Sequence, residues 1–220
     1  MRTSLFFVWS SIVIVLASVC FRITHDKPQV AGVEQTAAIH TMTVRDADIN
    51  TNRYENQELR FVFERTALIL VDVWDDMRFN QITTSKIVPL AQVVRESGMQ
   101  VVHATYDLNL YHAHTAVIDP YDMHRTDSGL FDTLKERGIS TLIFAGYCSN
   151  LCMLNRPVSI LEAHAQGFRT IVVRDASAGC EDFRATAEEN HEAILRILEM
   201  NNIATTVMVD DVIMSLRRKP

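Results

Sequence analysis

Cys152 lies in TLIFAGYCSNLCMLNRP (residues 141–157), where a run of strand-forming residues stops at Gly146, a turn follows and a helical stretch begins. That spacing presents a thiol at the open end of a sheet. A thiol becomes a nucleophile when its thiolate is stabilised. The free amides at a helix start stabilise it, and they also offer donors to a developing oxyanion. The other reading of a cysteine at such a turn is a small buried hydrophobe. Asp72 closes the apolar part of TALILVDVWDDM (66–77). A carboxylate there is partly desolvated, which raises its pKa and suits it to take a proton from a thiol; its other reading is an N-cap for the segment that follows. Asp75 and Asp76 read as capping or solvated residues. A third cluster, VVHATYDLNLYHAH (101–114), gathers His103, Asp107, Asn109, His112 and His114. Asp and His in one loop could hold a divalent metal, but no spacing here is diagnostic, so no metal or other cofactor is assigned. His103, inside a strand pattern, reads as core.

The elements that must position these residues follow from periodicity. The 66–77 stretch is a near-continuous apolar, β-branched run, as expected for a central strand covered on both faces. One unit then recurs: an amphipathic segment, a stop, and another apolar run. Residues 82–97 end at Gly98 and lead to MQVVHATY, 130–137 end at Gly138 and lead to ISTLIFAG, 155–166 end at Gly167 and lead to FRTIVVRD, and 184–201 lead to IATTVMVDD. The glycines fit left-handed helix caps. The alternation specifies an α/β chain: a doubly wound, Rossmann-like parallel sheet with helices on both faces. Ligands of such sheets bind beyond the carboxyl ends of the strands. Four of those ends are polar: Asp72 with Trp74 to Asp76, Tyr106 with Asp107, Cys148 to Cys152, and Arg174 with Asp175. There is no GxGxxG or P-loop to support nucleotide binding. Pro157 would remove a hydrogen bond from a helix running straight from Asn150, so the sequence predicts a short turn at Cys152 and a kink or fresh helix start at Pro157.

The 220 residues suit one domain with an N-terminal appendage. Hydrophobic content of 48% and charged content of 22% exclude disorder and a multi-span membrane protein. A net charge of -6 argues against a nucleic-acid partner, since the one basic run, Arg217 to Lys219, ends the chain. Four cysteines, Cys20, Cys148, Cys152 and Cys180, do not read as a disulfide framework, because Cys20 lies in the leader and Cys148 and Cys152 are only four apart. SLFFVWSSIVIVLASVCF (4–21) is uncharged and flanked by Arg2 and Arg22. Residues 1–22 therefore read as a signal peptide or membrane anchor, which implies export to a periplasmic or extracellular site or anchoring by this segment alone. Val19 before Cys20 is a poor match to a lipid-accepting site. Residues 23–43 read as a linker and 44–220 as the domain, with some strand character at 61–63.

Three stretches, ALILVD (67–72), LKERGISTLIFAGYCSNLCMLNRP (134–157) and TIVVRDASAG (170–179), together resemble the isochorismatase-like cysteine hydrolases. That family includes nicotinamidases, N-carbamoylsarcosine amidohydrolase and ureidoacrylate amidohydrolase. The resemblance runs from about residue 66 to 209. It implies a doubly wound fold and a Cys, Asp and Lys triad, with Cys152 on the nucleophile and Asp72 on the carboxylate. It also implies an oxyanion hole of the Cys148 and Cys152 amides after a cis Tyr147–Cys148 peptide, and hydrolysis of an amide-type C–N bond of a small molecule through a thioester. Trp74, Tyr106 and Tyr147 would line the substrate pocket, and a homo-oligomer would form through helices flanking the sheet. Two departures stand out. No lysine occurs between Lys86 and Lys135. In AVIDPYDMHRTDSGLF (116–131) Asp119 stands near its expected place, with His124 and Arg125 the nearest cations, so Arg125 is the candidate substitute. The metal-binding nicotinamidase branch carries Asp-x-His where this chain has Asp107-Leu108-Asn109, so nicotinamidase is not the favoured assignment. The alternative to a hydrolase is a non-catalytic small-molecule-binding member that has lost the lysine. Ether hydrolysis, as in isochorismatase itself, would need no thiol.

Overall fold

The computed structural model describes residues 38–48, 51, 53–106 and 114–218. The 1–22 leader, most of the linker, and Asp107, Asn109 and His112 lie outside the described residues, as does Lys219. No helix among the described residues is long and apolar enough to cross a membrane.

The apolar run predicted to be the central strand forms β3 (Thr66–Val71), and every residue of it is fully buried. On one side it pairs in parallel with β4 (Gln100–Ala104), which in turn pairs with β5 (Met123–His124). On the other it pairs with β6 (Thr141–Tyr147), followed by β7 (Arg169–Ala178) and β8 (Thr205–Val207), all parallel. An antiparallel hairpin, β1 (Ile39–Asp48) and β2 (Arg53–Val62), completes an eight-stranded sheet of order β2-β1-β8-β7-β6-β3-β4-β5. Alternate β3 side chains serve two cores. Leu68 and Leu70 join one with Leu90 and Val94 of α2 (Val88–Glu96) and Val212 and Leu216 of α6 (Val209–Arg217). Ala67, Ile69 and Val71 join the other with Leu130 and Leu134 of α3 (Gly129–Glu136), Ile160 and Ala163 of α4 (Ile160–Ala165) and Leu195 and Leu198 of α5 (Ala187–Met200). Helices on both faces are what an all-buried parallel strand requires.

The hairpin corrects the expected linker boundary. Residues 39–43 already belong to β1, because Met42 and Val44 alternate with exposed or half-exposed neighbours and bury their side chains at 2% exposure. The strand character expected at 61–63 extends back to Arg53. The amphipathic segment expected over 82–97 is a one-turn helix α1 (Asn80–Ile82), a π-helical turn (Thr83–Ile87) and α2. The segment expected to be helical from Asn155 becomes helical only at Ile160, where the Ser159 hydroxyl caps the Glu162 amide.

The chain runs outward from β3 through β4 to β5 and then returns to β6 on the opposite flank of β3. The carboxyl ends of β3 and β6 thus face the switch point, the place where open α/β sheets bind ligands. Gly146 sets how closely these strands approach. A Cβ there would sit 2.0 Å from the Val71 carbonyl oxygen, and its φ is +123°. The ends of β6 and β7 are also joined covalently. Tyr147 and Ala178 share a register, and beyond them Cys148 and Cys180 form a disulfide with Cα atoms 5.4 Å apart. This overturns the expectation that the cysteines form no disulfide framework: a separation of 32 residues in sequence becomes adjacency once two parallel strands pair.

Two measurements check these constraints. Gly146→Ala is expected to destabilise the domain by about 4 kcal/mol or more, read as the shift in a urea unfolding midpoint, since both the φ value and the carbonyl contact oppose it. Reduction of the disulfide, or Cys180→Ala, is expected to cost about 3.5 kcal/mol on the same scale, the loop-closure entropy of a link of this span.

Candidate active site

Asp72 ends β3 with a left-handed backbone, φ +45°, and is only 2% exposed. A non-glycine residue in that region is held by its surroundings, and the bonds are visible. Its Oδ1 accepts the Tyr106 amide at 2.9 Å, its own amide donates to the Ala104 carbonyl at 3.4 Å, and the Cys152 thiol faces its carboxylate. Burial still dominates and holds the Asp72 pKa above its ordinary 3.8. The N-cap reading of Asp72 therefore does not describe its bonds. Cys152 is 7% exposed. Its thiol is pushed above its ordinary range first by burial and then by the Asp72 carboxylate, and is drawn back down by Arg156.

The segment after β6 explains how the thiol reaches the carboxylate. The Tyr147–Cys148 peptide is cis, as the family resemblance implies. The Leu151 and Met153 amides then donate to the Cys148 carbonyl at 2.9 and 3.2 Å, and the Asn155 amide donates to the Leu151 carbonyl at 3.1 Å. Cys152 thus occupies an isolated turn, with a fresh helix start after Pro157, and does not open a continuous helix. Among the described residues, neither the Cys148 amide nor the Cys152 amide has an acceptor. The turn is clamped from β7: Asn150 donates to the Cys180 carbonyl at 3.0 Å and accepts the Cys180 amide at 2.8 Å, while the Ser149 amide donates to the Ala178 carbonyl at 2.9 Å.

Tyr106 lies beside Asp72. Its hydroxyl accepts the Val158 amide at 2.5 Å and donates to the Val158 carbonyl at 3.0 Å, and burial pushes its pKa up to about 12. Trp74 packs against Phe79, with ring centres 6.3 Å apart, beside the opposite core. Tyr147 does not line it. Its ring is fully buried against Phe79 at 4.0 Å in the opposite core, and its hydroxyl bonds with Thr83 at 2.7 Å. The alternation along β6 sends position 147 to the other sheet face from Phe144.

Arg125 is not the site's cation. It forms an ion pair with Asp127 at 3.0 Å and donates to Thr133 at 2.8 Å, on the approach to α3. His124 stacks on His103 at 4.8 Å, and His103, buried as expected, lies 2.7 Å from Asp122. Asp119 accepts the Tyr121 amide in a turn. The guanidinium nearest the thiol is that of Arg156, whose Nη2 lies 3.8 Å from Cys152 Sγ and whose carbon centre lies 5.4 Å from the centre of the Tyr106 ring. The sequence reading sought a cation upstream of the nucleophile. The signal available for Arg156 was its four-residue spacing from Cys152, which one turn brings together.

The sequence profile of the Isochorismatase domain matches residues 119–209. Among curated proteins none matches the sequence significantly. The fold is similar to that of a cysteine hydrolase from Pseudomonas syringae pv. phaseolicola 1448A, at 17% identity over 71% of this chain and 94% of that one, with a TM-score of 0.58. An isochorismatase from Pseudomonas putida KT2440 shares 17% identity over 67% of this chain and 90% of its own, with a TM-score of 0.56. A nicotinamidase from Staphylococcus aureus shares 17% over 65% and 98%, with a TM-score of 0.53. At such identities the structural likeness is one of fold. The profile match from Asp119 to Val209 covers the part of the chain that carries Cys152, and the sheet topology is that of these solved structures.

Proposed function

We propose that this chain is a cysteine-dependent hydrolase that cleaves an amide-type C–N bond of a small molecule. The observation that carries this reading is a buried thiol facing a buried carboxylate at the sheet's switch point, beside two amides without acceptors among the described residues. Asp72 takes the Cys152 proton as sulfur attacks the carbonyl carbon, and the displaced electron pair moves to oxygen, which the Cys148 and Cys152 amides stabilise. Collapse breaks the C–N bond, the nitrogen takes the proton from Asp72, and the amine or ammonia leaves a thioester. Water then attacks the thioester, Asp72 receives its proton, and the C–S bond breaks. The proton returns from Asp72 to sulfur, which closes the cycle. The Tyr106 amide holds the carboxylate, and Trp74 and Tyr106 border the substrate.

Export is proposed with it. The apolar 4–21 segment supports a leader, and the Cys148–Cys180 disulfide suits an oxidising compartment, where such bonds persist.

The test is a screen of small amides, nicotinamide included, followed by ammonia release. Cys152→Ala and Asp72→Asn are each expected to lower kcat/KM for a turned-over amide by about a thousandfold or more. A non-catalytic binder would turn over nothing while still binding, and ether hydrolysis would survive Cys152→Ala. The pH profile adds a sign. The base must be ionised, so wild-type activity is expected to rise with pH through a limb displaced above 3.8 by the burial of Asp72, and Asp72→Asn should lose that limb with the activity.

A further inference from the structure

We infer that Arg156 is the fixed cation of the Cys152–Asp72 pair, supplying the positive charge for which the sequence has no lysine between Lys86 and Lys135. The catalytic consequence rests on the hydrolase reading above, whereas the effect on the thiol does not.

Three features hold the guanidinium in place. The turn through Cys152 and Asn155 brings position 156 back over the thiol, with Nη2 at 3.8 Å from Sγ. Pro157 fixes φ immediately after it, and Val158, fully buried, is bonded through both its amide and its carbonyl to the Tyr106 hydroxyl. The Tyr106 ring then lies under the guanidinium, a placement favourable to a cation. Tyr106 thus grips both Asp72, through its amide, and the arginine's loop, through its hydroxyl.

The charges facing Cys152 come from each element packed on it: Asp72 from the end of β3, Tyr106 from beyond β4, and Arg156 from its own turn. When the thiol ionises beside an ionised Asp72, two negative charges share a dry site, which disfavours the thiolate unless a cation stands near. Several other described cations are engaged with other carboxylates: Arg78 with Asp76, Lys86 with Asp175, Arg95 with Asp122 and Arg125 with Asp127. Arg156 lowers both Cys152 and Asp72. Unlike an amine, a guanidinium keeps its proton at any working pH, so Arg156 acts as a charge only and every proton transfer falls to Asp72.

The experiment measures the pH dependence of iodoacetamide alkylation at Cys152 in the intact, disulfide-bonded protein, by mass of the Cys152 peptide. Arg156→Gln is expected to raise the alkylation midpoint by about one pH unit and slow labelling at pH 7 about tenfold, a modest effect for a charge on an exposed side chain. Arg156→Lys should restore labelling to within about threefold, and Arg125→Gln should label like wild type. In wild type alone, raising salt from 0.01 to 1 M should move the midpoint upward, because an exposed charge is screened. An unchanged midpoint in Arg156→Gln overturns the inference. So does an equal loss in Arg156→Lys and Arg156→Gln, or a wild-type midpoint indifferent to salt. Amide turnover separates this from the hydrolase reading. A shifted midpoint with no turnover of any amide by wild type sinks the hydrolase reading and leaves Arg156 in its role. Turnover with an unshifted midpoint does the reverse.

Discussion

A thiol and a carboxylate pressed together away from water can hold one proton comfortably but not lose it easily, and the geometry around Asp72 and Cys152 follows from that constraint. Burial raises both acids. The resting thiol therefore holds its proton beside a carboxylate placed to take it. In bulk water the same two groups would ionise independently, and neither would serve the other. Their coupling depends on the dry pocket, and the dry pocket depends on the sheet.

Strand geometry gives the pair its position. Asp72 is the first residue beyond β3 and is forced into a left-handed backbone that aims its carboxylate at the neighbouring strand end. Cys152 reaches the same point from β6 through a turn that would be slack if left alone. It is not left alone: Gly146 lets β6 lie against Val71, the disulfide ties Cys148 to β7, and Asn150 bonds both backbone groups of Cys180. These restraints fall on the segment with no regular helix of its own, where precision has to come from cross-links. The same fixings hold the Cys148 and Cys152 amides at the place where an oxyanion would form.

How much of this is legible in sequence depends on the distance over which each interaction acts. The alternation of apolar runs and glycine-stopped amphipathic segments is local, and it predicts the parallel strands, both helical layers and the switch point that gathers Asp72 and Cys152. The turn at Cys152 and the new helix after Pro157 follow from the proline alone. The Cys148–Cys180 link is not local. It depends on β6 and β7 being register neighbours, which no spacing of cysteines reveals. Tyr147 was misplaced for a related reason. At a strand end, one residue decides which sheet face a side chain meets, and position 147 falls on the face away from Phe144. Arg156 escaped because the family pattern directs attention upstream, whereas the nearby charge arrives through a turn downstream. The β1–β2 hairpin lacks the long apolar run of a core strand, because only one face of β1 is buried and β2 is largely exposed.

A disulfide and a free thiol only four residues apart in sequence need opposite chemistry in one compartment. If the bond between Cys148 and Cys180 is formed by oxidation, Cys152 is exposed to the same oxidants. Its protection is the same property that weakens it as a nucleophile at rest. Oxidants and disulfides are attacked by the thiolate, and a thiol that is 7% exposed and raised by burial and by Asp72 presents little thiolate at rest. Reactivity then has to be produced locally, by proton transfer to Asp72 once a carbonyl carbon stands at sulfur. Arg156 sets how far the resting thiol lies from that point. A stronger cation would make Cys152 a better nucleophile and a better target for oxidation, and its exposed position beside the thiol keeps the charge partly screened by solvent.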